Sequence, residues 1–167
     1  LLSLDLFVRL NDPDEATWEW EDIADYTPEQ TTIRAAMLHI IDKGLAVDEG
    51  LSSPDAVERC QYLKAEMLLP DPTTLEEGKA MLNVLAESDN IELRCKAIIS
   101  LSFIAAHGLD KPKDGLKILK KHIKLLDDPA VNSEIRELWY DYMAAITTRL
   151  GKSKDANKYL KRKETTK

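Results

Sequence analysis

The sequence predicts an all-α chain of about nine helices. Three observations carry that prediction: apolar residues recur at helical intervals, no useful stretch alternates like a strand, and six of the seven prolines stand where a helix can begin. The composition agrees, with 44% apolar, 32% charged and only 6% aromatic residues in 167. That length suits one sizeable core or a short array of repeated units, and is too short for two large domains.

Proline has a fixed φ and no N–H to donate, so it fits the first turn of a helix and disrupts the interior. It stands behind a cap-like or cap-adjacent residue at Asp12-Pro13, Thr27-Pro28, Ser53-Pro54, Asp71-Pro72, Lys111-Pro112 and Asp128-Pro129. Thr27 with Gln30, Thr73 with Glu76 and Thr74 with Glu77 have capping-box spacing. In chain order, a first short helix is expected near 2–10 and a second over 13–26, behind Pro13. The third, 28–43, carries the stripe Ile33, Ala36, Met37, Ile40 and Ile41 and should stop at Gly44. Helices over 54–69 and 73–88 open at Pro54 and at the paired threonines. The next, 90–107, is apolar on nearly every side from Ile91 to Ala106, so it must be covered all round and forms the expected centre of the fold. Leu116, Leu119, Ile123 and Leu126 give 113–127 a narrower seam. Ile135, Leu138, Trp139, Tyr142, Met143, Ile146 and Leu150 stripe 130–150, which should end at Gly151, and 153–163 closes the series.

Three of these helices share a pattern: LEEGKAMLNVLAESD (75–89), KDGLKILKKHIKLLDD (113–128) and KDANKYLKRK (154–163). Each has one or two acids, then Gly78, Gly115 or Ala156, then a Leu or Met near the next turn; the small residues stand 37 and 41 positions apart. A small side chain there lets a neighbouring backbone approach. The break before a new helix recurs at Leu10 to Pro13, Leu69 to Pro72 and Leu126 to Pro129. On these residues the chain resembles the tetratricopeptide-repeat family over about 54–163, with 13–43 as a weaker candidate unit. The resemblance implies a right-handed array of antiparallel helix pairs, an α-solenoid, in one helical-repeat domain over 1–167, with acidic helices in 1–50 and a tail at 164–167. It also implies a non-enzymatic interaction module, a scaffold or adaptor. Groove-facing positions would fall at Cys60, Leu63 and Met67, then Ile98 and Ser102, then Leu138, Asp141 and Ala145. Some members grip a C-terminal carboxylate with Lys, Asn and Arg at such positions, which this set lacks.

No catalytic, metal or cofactor site is expected. Cys60 and Cys95 have no Cys or His at metal-ligand spacing and read as small buried residues. His39, His107 and His122 fall in no catalytic or zinc motif, and His107 suits the C-terminal end of a helix dipole. Acidic pairs such as Glu76-Glu77 and Asp127-Asp128 sit where helices begin or end.

Charge is distributed in order along the chain. Residues 1–50 carry 3 basic and 12 acidic side chains, 51–110 carry 5 and 10, and 111–167 carry 15 and 8. Between Asp12 and Glu29 acids surround Trp18, Trp20 and Tyr26, so Trp18, Glu19, Trp20 and Asp22 are candidates for receiving a basic partner; a solvated helix with both Trp in the core is the alternative. The lysines of the last third, Lys117, Lys120, Lys121 and Lys124 foremost, offer a nucleic-acid alternative or a solvated face. No run is long enough for a membrane span, and an intracellular location, cytoplasmic or nuclear, is expected. The absence of an opening Met leads us to expect a piece of a longer protein.

Overall fold

The computed structural model describes residues 27–47 and 53–164, which form seven α-helices with no strand among the described residues. They are α1 (Pro28–Val47), α2 (Pro54–Leu68), α3 (Leu75–Leu85), α4 (Ile91–Phe103), α5 (Pro112–His122), α6 (Ser133–Arg149) and α7 (Ser153–Glu164). A π-helical turn, Ile104–Gly108, prolongs α4, and a 3-10 turn, Ile123–Asp127, prolongs α5. The helices expected over 2–10 and 13–26 lie outside the described residues.

Helix starts follow their local chemistry. At α1, Thr27 Oγ1 accepts from the Gln30 N–H and the Gln30 side chain accepts from the Thr27 N–H, a complete capping box. Ser53, Asn90 and Asn132 cap α2, α4 and α6 by accepting from the backbone N–H three residues on. The other two expected capping boxes do not form. Asp71 instead accepts from both the N–H and the hydroxyl of Thr73, while Thr74 donates its hydroxyl to the Leu68 carbonyl, so this loop is an Asx turn and α3 starts only at Leu75. Pro129 likewise precedes a turn, and α6 waits for Asn132.

Helix ends differ more from expectation. Gly44 does not stop α1, which continues to Val47; a Cβ there would meet nothing within 4 Å, so the glycine answers no packing demand. Gly151 does stop α6: its φ is +72°, its N–H reaches the Thr148 carbonyl and the Lys152 N–H reaches that of Thr147, a Schellman closure. After the π-turn, left-handed Asp110 (φ 52°) redirects the chain.

Each helix packs on its successor, and α2 also touches α4, as α4 touches α6. The α2–α3 and α4–α5 pairs repeat one another: Pro54 and Ile91, Leu75 and Pro112, and the caps Ser53 and Asn90 all stand 37 residues apart. Their contacts repeat too. An added Cβ on Gly78 would lie 2.9 Å from the Ala65 carbonyl oxygen and from Leu69, and one on Gly115 would lie 2.7 Å from the Ser102 carbonyl oxygen and 2.8 Å from Ala106. Ser102 and Ala106 are 37 positions after Ala65 and Leu69, so the spacing of the two glycines recurs in the partners they approach. Ser102 adds a buried 2.9 Å hydrogen bond to the Gly115 carbonyl. The third pair, α6–α7, starts 42 and 41 residues later and buries Ala156 at its small-residue position.

The core has two parts, and α4 supplies both. Ala97 and Ile104 join Ala65, Leu69, Leu82 and Leu85 on one side. Cys95, Ile98 and Ile99 join Leu116, Leu119, Ile135, Trp139, Met143 and Ile146 on the other. That double engagement is why the helix is apolar nearly all round.

Candidate interaction surface

The first helices of the three pairs lie beside one another and are tied laterally by side chains. Arg59 of α2 approaches Glu92 of α4 (3.8 Å). Tyr62 of α2 meets Ser100 of α4, hydroxyl to hydroxyl, at 3.3 Å. Phe103 of α4 meets Tyr142 of α6 edge to face, with ring centroids 5.8 Å apart, and His107 stacks on Phe103 at 4.8 Å. Arg149 of α6 donates to the Ala106 carbonyl and pairs with Asp110 at 2.6 Å, closing the row over the π-turn. Leu63 and Leu138 stand exposed at 36% and 37% on α2 and α6. Tyr62, Phe103 and Tyr142 are half-buried.

Glu66 sits within this row. Its Oε1 is shut off from solvent and has no hydrogen-bond partner. Burial raises the carboxyl above its ordinary range, partly opposed by Ser100 and Tyr62. Burial, and then the charge of Glu66, raise the hydroxyls of Tyr62 and Tyr142 in turn. His107 is lowered by burial and by the charge of Arg149, which overrides the dipole effect expected at a helix end. His122 is lowered by burial and then by Lys121.

The residues named from the sequence fall in several places. Leu63 and Leu138 are at the surface, and Ala145 is exposed. Cys60 is half-buried rather than buried, and Asp141 is half-buried in a 2.6 Å pair with Lys163 of α7. Met67, Ile98 and Ser102 are corrections: at 4%, 1% and 0% exposure they are interior, because their sides of α2 and α4 pack into the protein. Trp18, Glu19, Trp20 and Asp22 lie outside the described residues. Sequence reading missed Tyr62, Glu66 and Phe103 and placed Tyr142 in a core stripe. A signal existed: the 37-residue register that sets Ala65 and Leu69 against Gly78 fixes which sides of α2 are turned away from α3.

The second charged feature lies on α5 and α7. Lys113, Lys117, Lys120, Lys121 and Lys124, with Lys152, Lys154, Lys158 and Lys161, are all exposed. Asp155 is held below the usual carboxylate range by Lys158, its 2.8 Å partner, with further contributions from Lys152 and Lys120. Lys120 belongs to α5 and the others to α7 or its approach, so lysines of both segments act on the same carboxylate.

Among the described residues no helix is long and apolar enough to cross a membrane, and no three His, Cys, Asp or Glu side chains gather as a metal site. Comparison with family models, with curated proteins and with solved structures finds no match to this chain.

Proposed function

We propose that this chain is a non-enzymatic interaction module whose helix pairs stack as a tetratricopeptide-like solenoid and whose α2–α4–α6 face receives a partner protein or peptide. The observation that carries the reading is the lateral row across three helices, in which exposed Leu63 and Leu138 flank the half-buried rings of Tyr62, Phe103 and Tyr142. Aromatic and aliphatic side chains that are already held by their neighbours lose little freedom on binding and supply most of the energy of such contacts. The 37-residue recurrence of caps, glycines and glycine contacts supports the stacking, since a solenoid is built by repeating one pair against the next. The test is selection of random displayed peptides on the chain, repeated with Leu63→Glu and Leu138→Glu together. Loss of the selected peptides in that variant, with its helicity intact, is the expected result; unchanged binding would contradict it.

The exposed lysines of α5 and α7 favour a second reading, in which they hold nucleic acid through its phosphates. Binding of mixed RNA or DNA would then fall by orders of magnitude between about 50 and 200 mM salt and disappear when Lys117, Lys120, Lys121 and Lys124 are neutralised. Absence of binding at low salt would eliminate it.

A further inference from the structure

We infer that the exposed lysines of α5 and α7 bind the acidic stretch from Asp12 to Asp25 of a second copy of this chain, so that copies associate head to tail. The inference stands apart from the α2–α4–α6 face and gives these lysines an occupant other than nucleic acid.

The placement of charge leads to it. Residues 1–26 carry eight acidic side chains and one basic, and the other 141 carry 22 of each, so the whole net charge of −7 sits in the first 26 residues. Seven of those acids lie between Asp12 and Asp25, around Trp18 and Trp20. The last third, 111–167, carries a matching +7, with 15 basic residues against 8 acidic. Its lysines are on display. Lys117, Lys120, Lys121 and Lys124 of α5 and its 3-10 extension, with Lys152 and Lys154 at the start of α7, are exposed, and among the described residues none of the six forms an ion pair. Lys120 and Lys152 both act on Asp155, so the two groups contribute to one field. Acids of the intervening helices have cations of their own: Asp42 and Glu77 share Lys64, Asp55 pairs with Arg59, Glu76 with Lys79 and Glu92 with Lys96. The chain is thus strongly acidic at its start and carries unpaired lysines near its end, and opposite fields of that kind steer encounter and fix orientation. Indole rings add to the match, since an ammonium is attracted to the face of Trp and the aliphatic stem of Lys lies along it.

The order of packing directs the stretch to another copy. It leads into α1 at Thr27, whose capping box fixes the start of that helix, and α1 packs on α2, whereas α5 packs on α4 and α6, and α7 on α6. The start of one copy can meet the end of the next without spanning the helices between. Such a contact joins unlike surfaces and so repeats from copy to copy.

The experiment is sedimentation velocity of the full chain at concentrations up to about 1 mM, with two charge-reversed variants. One carries Lys117→Glu, Lys120→Glu, Lys121→Glu and Lys124→Glu together, and the other Asp14→Lys, Glu15→Lys, Glu19→Lys and Asp22→Lys. The unaltered chain is expected to associate as its concentration rises, about tenfold more weakly in about 0.5 M than in about 0.05 M salt. Each variant alone, with its helicity intact, should stay monomeric. An equimolar mixture of the two should associate again, because one keeps the acidic start and the other keeps the lysines. An unaltered chain that stays monomeric at low salt, variants that associate as the unaltered chain does, or a mixture of helical variants that fails to recover would overturn the inference. So would zero-length carboxyl–amine crosslinks between the stretch and these lysines that, in a mixture of light and isotope-labelled chains, form only within one chain. A monomeric chain that binds mixed RNA through the same four lysines would overturn it as well and leave them to nucleic acid.

Discussion

At the scale of single residues, three buried side-chain polar atoms among the described residues lack hydrogen-bond partners: Glu66 Oε1, Trp139 Nε1 and Thr147 Oγ1. Thr147 is 1% exposed, and its hydroxyl gives up water for nothing in return. Thr147→Val keeps the branched shape and removes the orphan, so it is expected to stabilise the chain by about 1 kcal/mol, read as a higher midpoint in urea unfolding. Titration at the histidines and at Glu66 should act with opposite signs. His107 and His122 are lowered from 6.5 by burial, so below about that pH the unfolded chain takes up protons that the folded chain resists, and stability falls with acidification. Glu66 is raised from 4.5, so the folded chain holds its proton longer and stability falls as pH rises above that value. Unfolding measured from pH 4 to 8 should therefore lose part of its acid-side slope in His107→Phe, which keeps a ring against Phe103. Glu66→Gln should gain more stability at pH 7 than at pH 4.

At the scale of elements, the glycines separate by what lies opposite them. Gly78 and Gly115 bring α3 and α5 against carbonyls of α2 and α4, and a methyl group would enter backbone. Gly78→Ala and Gly115→Ala are expected to destabilise by about 1–3 kcal/mol, although Ala is the better helix former. Gly44 faces open space within α1, so Gly44→Ala should stabilise by up to about 1 kcal/mol. Thermal unfolding of the three variants distinguishes the two outcomes, and equal effects at all three would remove the close-approach account. These elements also show what a sequence reveals. Pro28, Pro54 and Pro112 located the starts of α1, α2 and α5 because the first turn of a helix is local chemistry, and the Gly78–Gly115 spacing exposed the repeat, whereas the caps Asn90 and Asn132 were not singled out. The end of α1, the Asx turn at Asp71 and the π-turn after Phe103 were not legible, since each is decided by competing bonds or by contacts outside its own segment.

At the scale of the whole molecule, the acidic total of −7 conceals an order that the helices make physical. Two of the three arginines of the last third are spent on structure: Arg136 donates to the Leu126 and Asp128 carbonyls, and Arg149 to that of Ala106. Most lysines of α5 and α7 remain exposed, on helices other than those that carry Leu63, Tyr62, Phe103, Tyr142 and Leu138. An all-helical chain with a central apolar helix was readable from periodicity alone. The side of each helix that faces outward was not, because Met67 and Ile98 differ from Leu63 and Leu138 in nothing but rotation about the helix axis. The most direct measurement is an NMR titration of the isotopically labelled chain with a peptide selected on it. Signals of Tyr62, Leu63, Ser100, Phe103 and Leu138 should shift together and saturably while those of α5 and α7 stay in place; shifts confined to the lysines of α5 and α7 would contradict the partner face.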